Sequence, residues 1–193
     1  MEYEKAKAFI LDKMKTELPH YFFYHSVEHS LDVLNSAMHY AESENINEHD
    51  KILLATAAVF HDSGFIFQSH DHEEKGCELA KGILVNYKYS EKEIAQICGM
   101  IMSTKLPQTP VNKLEQIMCD ADLDYLGRDD FFKTGHKLFE EFSYLGVVKN
   151  EKEWNELQLH FFESHHYFTQ SAIRLRQKQK QVYYQLIKEK LTS

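Results

Sequence analysis

The chain has 193 residues, of which 43% are hydrophobic and 27% charged, with only 7 glycines and 3 prolines. That length suits one domain with its own core, and the scarcity of turn-forming residues indicates a compact helical protein rather than a loop-rich or disordered one. The formal net charge of −8 excludes broad electrostatic capture of a nucleic-acid polymer or an anionic membrane, but a small anionic substrate is compatible with it if a bound cation sets the local field.

The three cysteines are Cys77, Cys98 and Cys119, widely spaced and never in a C-x-x-C pair. This spacing predicts neither a disulfide framework nor a thiolate zinc site, and it favours a reducing compartment. No apolar run approaches the length of a membrane span, and the first residues, MEYEKAKAFI, lack a signal-peptide pattern. We therefore expect a cytoplasmic protein, either a monomer or a homodimer.

Helical periodicity recurs along the chain, and no alternating strand pattern competes with it. The sequence predicts an all-α fold in one domain spanning residues 1–193, with a motif-bearing core at about 20–130 and further helices at about 130–191. The predicted helices are, in chain order, 3–17, 27–43, 48–62, 71–87, 91–103, 113–126, 130–144, 151–163 and 169–190.

Several helix boundaries have their own sequence signals. Asn47 and Ser90 have the side chains that cap a helix N-terminus, and Gly64 suits a left-handed residue after a helix. The segment KLPQTP at 105–110 predicts a loop, because two prolines interrupt any helix that crosses it.

The stretch AVFHDSGF ends an apolar helix on two polar residues, His61 and Asp62. Leu54, Ala58 and His61 recur at helical spacing, so His61 projects from the buried stripe and needs a polar partner. Adjacent side chains of a regular helix point about 100° apart, so both can meet one point only where the helix loosens, as it can near Gly64. A divalent cation would account for both groups; a His-Asp pair capping the helix C-terminus is the alternative.

A second group of polar residues lies upstream in YHSVEHSLDV. His25 and His29 are four residues apart and share one face if the helix has begun by then. Val33 continues the face of His29, which places that imidazole toward the core. Either histidine could instead be a hydrogen-bonded core or surface residue.

Three aspartates fall within IMCDADLDYLGR, residues 117–128. Asp122 lies among apolar neighbours at helical spacing and is predicted to be buried, whereas Asp124 has Arg128 as its i+4 neighbour and is predicted to be paired. A buried lone carboxylate is strongly disfavoured unless a cation or donors meet it. Asp120 is intermediate and could orient a ligand from behind.

The order His29, then His61-Asp62, then Asp122 resembles the HD superfamily of metal-dependent phosphohydrolases, whose ligand pattern is H...HD...D on an all-helical fold. The resemblance extends over about 24–128, a little over half of the chain. It implies an HD-domain helical bundle with the C-terminal helices packed on it. It also implies that these four side chains hold a divalent ion, with Mn, Mg, Fe, Ni, Co and Zn all compatible with two nitrogen and two oxygen ligands.

The resemblance further implies catalytic roles. Asp62 would act with the metal in generating the nucleophile from water, and His25 would be the general acid, as in related cyclic-nucleotide phosphodiesterases with a similar YHN-x-x-H motif. Here Ser26 replaces the asparagine of that motif.

The segment SHDHEEKG follows the HD pair closely. In similar HD proteins a glutamate or histidine of this region holds the attacking water or a second metal, which makes Glu73 or His72 the candidate here. An acidic first turn of the next helix is the alternative. Dinuclear relatives have another histidine near Ser103 and Thr104, where this chain reads MIMSTKLP.

An anionic substrate needs positive groups near the metal, and Lys75, Lys105 and Arg128 are the nearest in sequence to the proposed ligands. Lys105 is favoured because it opens the proline-bounded loop. Further along, LHFFESHHYF offers His165 and His166, which could touch a phosphate. Packing of that aromatic segment into the core is the alternative, and Trp154 is also interpreted as packing. Whether these two histidines, His70 or His72 join the site stays open at this point.

The sequence therefore predicts a metal-dependent phosphohydrolase, a phosphomonoesterase or phosphodiesterase that cleaves a phosphate ester or anhydride of a small molecule, with a nucleotide as the favoured substrate. A nucleotide-binding regulatory HD module with little turnover is the first alternative. A di-iron oxygenase is the second, and it requires a full set of second-site ligands.

Overall fold

The computed structural model describes residues 1–192, which contain nine α-helices and no β-strand. The predicted all-α class and the order of the helices are confirmed. The helices are α1 (Tyr3–Glu17), α2 (Val27–Ser43), α3 (Glu48–Phe60), α4 (His72–Leu84), α5 (Glu91–Ser103), α6 (Lys113–Asp122), α7 (Phe131–Tyr144), α8 (Glu151–Ser164) and α9 (Gln170–Thr192). Short 3₁₀ helices cover Ser63–Ile66, Val85–Tyr87 and Asp124–Gly127.

Helices α3 and α6 end earlier than their periodicity predicts. The α-helical hydrogen bonding of α3 stops at Phe60 and that of α6 at Asp122, and each helix is followed by a tighter 3₁₀ turn. Because the chain changes direction at these ends, side chains there need not follow the 100° spacing of a regular helix. The HD pair and Asp122 both lie at such ends.

The predicted N-caps are confirmed. The Asn47 side chain accepts a hydrogen bond from the Asp50 amide at 3.0 Å, and Ser90 forms a capping box with Glu93. Each cap satisfies a backbone amide that lacks a partner in the first turn of its helix.

The prediction of a left-handed Gly64 is wrong: of the glycines in residues 1–192, Gly146 has a positive φ, and Gly64 lies inside a 3₁₀ helix. Glycine is required there because of a close approach. A Cβ on Gly64 would lie 1.8 Å from the carbonyl oxygen of His72, so α4 contacts the backbone that follows the HD pair.

Helices α1 to α6 together form the main core, and α3 lies at its centre. Helix α3 contacts α1, α2, α5 and α6, and its residues 53–60 are all buried. A helix that is apolar on all sides is stable only when other helices surround it. This central position holds the C-terminal end of α3, and with it the HD pair, inside the protein.

A second, aromatic core joins α7, α8 and α9 to the 3₁₀ helix Asp124–Gly127. Phe131 stacks on Tyr183 with ring centroids 4.7 Å apart and meets Phe162 edge-on at 5.4 Å. Such ring pairs add stability beyond the burial of their area. Within residues 1–192, none of the helices combines the length and the apolar character that crossing a bilayer demands.

The sequence left open that Asp120 orients a metal ligand, but its carboxylate is hydrogen-bonded to the start of α9 instead. It is fully buried and accepts hydrogen bonds from the Phe168 and Thr169 amides, both at 2.8 Å, and from the Thr169 hydroxyl at 2.6 Å. Asp120 therefore anchors the start of α9 to α6.

Asp124 is buried, and its main partner is Arg176 of α9 rather than the predicted Arg128. The Arg176 Nε and Nη2 atoms lie 2.6 and 3.0 Å from the two Asp124 oxygens, while Arg128 Nη1 is 3.5 Å away. The hydroxyls of Ser36 and Tyr40 also donate to this carboxylate. Asp124 thus holds α2, α9 and the 3₁₀ turn together.

Candidate metal centre

Four polar side chains from three helices meet at one point inside the bundle. His29 comes from α2, His61 and Asp62 from the C-terminal end of α3, and Asp122 from the last residue of α6. His29 Nε2 lies 3.2 Å from Asp122 Oδ1 and 3.4 Å from Asp62 Oδ2. His61 Nε2 lies 3.2 Å from Asp62 Oδ2 and 3.3 Å from Asp122 Oδ1. The four residues proposed as ligands are thus brought together.

The protein sets the orientation of the His61 ring. Its Nδ1–H donates to the carbonyl oxygen of Ala58 at 2.8 Å, which leaves Nε2 as the nitrogen that faces the other three groups. His61 is 1% exposed and Asp62 is 3% exposed. His61 Nε2 and Asp62 Oδ2 are both buried with no hydrogen-bond partner among the described residues. Two orphaned polar atoms side by side are costly unless an ion binds them.

The donor set and its spacing fit a divalent cation. An ion about 2.1 Å from each donor holds neighbouring donors about 3.0–3.4 Å apart, which matches the four imidazole–carboxylate separations of 3.2–3.4 Å. His29, His61 and Asp122 each offer a donor atom within 4.8 Å of the other two. Asp62 is not part of this group, but its Oδ2 lies 3.4 Å from His29 Nε2 and 3.2 Å from His61 Nε2. Two imidazoles with two carboxylates suit several first-row metals and do not select one.

The electrostatics of the four groups are tightly linked. Burial of His61 acts against its charged form, yet Asp62 and Asp122 raise the pKa of His61 well above its usual value. In the same way, despite burial, the hydrogen bond with His29 and the nearby His61 imidazole hold the pKa of Asp122 well below its ordinary range. The two carboxylates thus attract positive charge to the centre, whether it is carried by protons or by a metal ion.

Asp122 is less buried than its apolar neighbours predict, because its side chain, 17% exposed, lines a cavity that opens onto the centre. The cavity has a volume of about 260 Å³. The polar residues that line it next to Asp122 are His25, Asp62, His72, Glu73 and Thr104.

His72 and Glu73, at the start of α4, lie beside the HD pair. His72 Nε2 is 3.5 Å from Asp62 Oδ1 and 3.5 Å from Glu73 Oε1. The ring of Phe65 stacks on both His72 and His25, with centroids 3.9 and 4.2 Å apart. The region after the HD pair therefore contributes to the cavity, whereas His70 is exposed and paired with Asp71 at 2.6 Å.

His25 is held by a carboxylate that the sequence did not single out. Its Nδ1–H donates to Glu141 of α7, and a Glu141 oxygen also accepts from the Tyr24 and His25 amides at 3.0 and 3.2 Å. The carboxylate fixes the proton on Nδ1, which leaves Nε2 as the ring nitrogen that can exchange a proton. Nothing in the local sequence near His25 indicates this partner.

The three cations proposed for substrate binding have other partners and do not line the cavity. Lys105 Nζ lies 2.7 Å from Asp71 and 2.5 Å from Glu74. Arg128 pairs with Asp32 and Asp130, both at 2.8 Å, and Lys75 pairs with Glu78 at 2.7 Å. At the position where dinuclear relatives have another histidine, the hydroxyls of Ser103 and Thr104 donate to the backbone carbonyls of Met100 and Ile101.

The aromatic segment near His165 and His166 contributes through its rings rather than its histidines. His165 stacks on Phe161 at 5.8 Å, and burial lowers the pKa of His165 to about 3. His166 is exposed. Phe161 and Phe162 line the cavity, and so does Trp154. The amphipathic spacing of α8 could have indicated its apolar face, but not that this face forms a cavity wall.

The HD domain family matches residues 26–126, which are more than half of the chain and include all four proposed ligands. The chain therefore belongs to the HD domain family. An uncharacterized protein of Clostridium beijerinckii is 35% identical over 111 residues, covering 56% of this chain and 69% of that relative. The fold is similar to the crystal structure of a predicted HD superfamily hydrolase from an uncultured Thermotogales bacterium, with a TM-score of 0.64, 21% identity, and 96% of this chain and 91% of that chain covered.

Proposed function

We propose that the protein is a metal-dependent phosphohydrolase acting on a phosphate ester or anhydride of a small molecule, with nucleotides as the first class to test. The observation that supports it most directly is the pair of orphaned buried atoms, His61 Nε2 and Asp62 Oδ2, which lie 3.2 Å apart. The structural relative from the Thermotogales bacterium, a predicted HD superfamily hydrolase of similar fold, supports hydrolase activity in general.

The four residues that would hold the ion are His29, His61, Asp62 and Asp122. When bound, a divalent ion supplies Lewis acidity, which acidifies a water and polarises a phosphoryl oxygen. The reaction adds water across the P–O bond, so that the phosphoryl group gains the hydroxyl and the leaving oxygen gains the proton. The imidazole–carboxylate separations of 3.2–3.4 Å among these four side chains support their role as ligands of one ion.

His25 and Glu73 are the proposed proton-transfer groups. His25 lines the cavity beside the centre, and its Nδ1 is occupied by Glu141, so its Nε2 would donate the proton to the leaving oxygen. Glu73 is buried, lines the same cavity and lies next to His72, where its carboxylate would orient the attacking water. Neither role requires a second metal ion.

The test is a screen of the purified full chain with manganese, magnesium, nickel or cobalt against phosphomonoesters, phosphodiesters and nucleotides. Turnover by the native protein and its loss in Asp62→Asn are expected. Asp129→Asn is the matched control, because Asp129 is exposed and lies outside the cavity lining. Tight metal-dependent nucleotide binding without any turnover would contradict the hydrolase proposal and favour a regulatory nucleotide-binding module.

A further inference from the structure

The cavity beside the metal centre is divided into a polar end and an apolar chamber. We propose that the substrate carries a single phosphoryl group at the polar end and a compact apolar, ring-sized group in the chamber. This inference rests on the proposed phosphohydrolase function and, within the small-molecule phosphates proposed for that same site, favours an apolar monoester over nucleotides.

The chamber is walled mainly by aromatic and aliphatic side chains. Helices α7 and α8 supply most of them, and Leu123 and Leu126 continue the wall next to Asp122. A bound group with hydroxyls or charges would lose its water there without gaining partners, whereas an apolar group gains free energy from leaving water. Gln158 contributes an amide, which can accept one polar substituent. The apolar side chains from the two helices are Leu138, Phe142, Trp154, Leu157, Phe161 and Phe162.

The charge of the lining argues for one phosphoryl group. Among residues 1–192, no lysine or arginine lines the cavity, and its carboxylates are Asp62, Glu73 and Asp122. A metal ion at the centre can neutralise one phosphoryl group, but a triphosphate or diphosphate extending into the chamber would meet no lysine or arginine in its lining. Polyphosphates commonly rely on lysine, arginine or a glycine-rich loop for that charge, and the cavity has none of these in its lining.

The size of the chamber argues for a compact body. A cavity of about 150 Å³ can hold a benzene ring, and this one measures about 260 Å³ with the polar end included. A phosphoryl group attached to one ring therefore fills the available space. A long acyl or isoprenoid chain would have to extend out of the protein.

Most of the apolar chamber wall, the part from α7 and α8, lies outside the region that matches the family. The proposed ligands fall within residues 26–126, whereas α7 begins at Phe131 and α8 at Glu151. The family match therefore includes the four proposed ligands and leaves out the part of the wall that α7 and α8 supply. Because the same helices supply Glu141 to His25, the position of the chamber relative to the proposed proton donor is set by tertiary contacts of α7.

The first experiment compares benzyl phosphate with ethyl phosphate and ATP, using the manganese-loaded full chain. The two esters have leaving alcohols of similar acidity, so a difference reports the organic group and not the chemistry of bond cleavage. We expect kcat/KM to be at least about tenfold higher for benzyl phosphate than for ethyl phosphate or ATP, because the benzyl group fills the apolar chamber and gains binding free energy there. Equal values for the two esters, or a preference for ATP, would overturn the proposal.

A matched pair of leucines tests the wall itself. Leu157 of α8 lines the chamber and is 37% exposed, while Leu175 of α9 is 45% exposed and lies away from it. Leu157→Asn should lower kcat/KM for benzyl phosphate about tenfold more than it lowers kcat/KM for ethyl phosphate. Leu175→Asn should change neither value. An equal loss for both esters in Leu157→Asn would contradict the assigned chamber.

A binding measurement separates failure of this proposal from failure of the hydrolase proposal. Benzylphosphonate and ethylphosphonate have a phosphorus–carbon bond in place of the ester bond and are not hydrolysed. Calorimetry should show at least about tenfold tighter binding of benzylphosphonate, with a more negative heat-capacity change than for ethylphosphonate. If no ester is turned over, the hydrolase proposal fails while this ratio still decides the chamber. Equal phosphonate affinities would overturn the substrate class even in an active enzyme.

Discussion

His25 and Glu141 are 116 residues apart in sequence and form a partly buried imidazole–carboxylate pair beside the metal centre. Glu141 is 1% exposed, and the same carboxylate accepts from two backbone amides at the turn that precedes α2. One side chain of α7 therefore positions both the backbone and the ring of the proposed proton donor. Glu141 is a positioning residue, because it acts on the reaction through His25.

Glu141→Gln should lower kcat by about 10- to 100-fold with little change in KM, because the amide cannot hold the His25 ring in the same protonation pattern. The loss should be large for benzyl phosphate, whose alcohol must be protonated as it leaves, and small for 4-nitrophenyl phosphate, whose leaving group needs no proton. Steady-state kinetics with both esters measures this difference.

Glu140→Gln is the control, since Glu140 is the adjacent exposed residue and interacts with His136 at 3.6 Å. It should leave both esters unaffected. Equal losses for the two esters in Glu141→Gln, with an unchanged circular dichroism spectrum, would show that Glu141 does not act through proton donation.

The contact between Gly64 and α4 predicts a large stability difference between two glycine substitutions. Gly64→Ala should lower the free energy of unfolding by about 3 kcal/mol, because its Cβ would overlap the carbonyl oxygen of His72. Gly82→Ala should raise it by about 0.5–1 kcal/mol, because Gly82 lies in α4 with open space around its Cβ position. Urea unfolding of both variants measures the difference; equal effects would contradict the close approach.

The buried partner of Asp124 predicts which arginine of α9 matters for stability. Arg176→Met should cost about 1.5–3 kcal/mol, because it removes two charge-assisted hydrogen bonds and leaves Asp124 to the hydroxyls of Tyr40 and Ser36. Arg174→Met, at an exposed position of the same helix, should stay within about 0.5 kcal/mol of the native protein. Similar unfolding midpoints for the two variants would contradict this assignment.

Lys180 predicts a pH dependence of stability. Burial near the rings of Phe162 and Tyr167 lowers the pKa of Lys180 from 10.5 to about 8. Between these two values the unfolded chain holds a proton that the folded protein has lost, so unfolding takes up a proton and stability rises with pH. The unfolding midpoint of the native protein should therefore rise from pH 7 to pH 9 relative to that of Lys180→Met. Parallel pH profiles for the two proteins would refute the shift.

Metal binding should be visible without any substrate. At manganese concentrations about 100 times Kd the native protein should gain about 2.7 kcal/mol, which corresponds to roughly 5–10 °C in Tm. Asp122→Asn should lose most of this gain because one of its four proposed donors no longer has a charge, while Asp129→Asn should keep it. Differential scanning fluorimetry with and without manganese measures each protein against itself. An unchanged gain in Asp122→Asn would remove Asp122 from the ligand set.

Much of the fold could be predicted because helices depend on local chemistry. The caps at Asn47 and Ser90 involve partners three residues away, and the buried, mostly apolar residues 53–60 of α3 are one continuous stretch of sequence. The same locality explains the error at Gly64. Its neighbours in sequence fit a helix end, but the need for glycine comes from the carbonyl of His72, which approaches in space.

The sequence by itself determined the helical class and the order of the four proposed ligands, since both are properties of spacing along one chain. Only the tertiary structure decided that Arg176 rather than Arg128 is the main partner of Asp124, and that α7 and α8 enclose the apolar chamber. The physical reason is that hydrogen-bond and packing energies depend on distance in space. Side chains such as those of His25 and Glu141, far apart along the chain, leave no local pattern that records their contact.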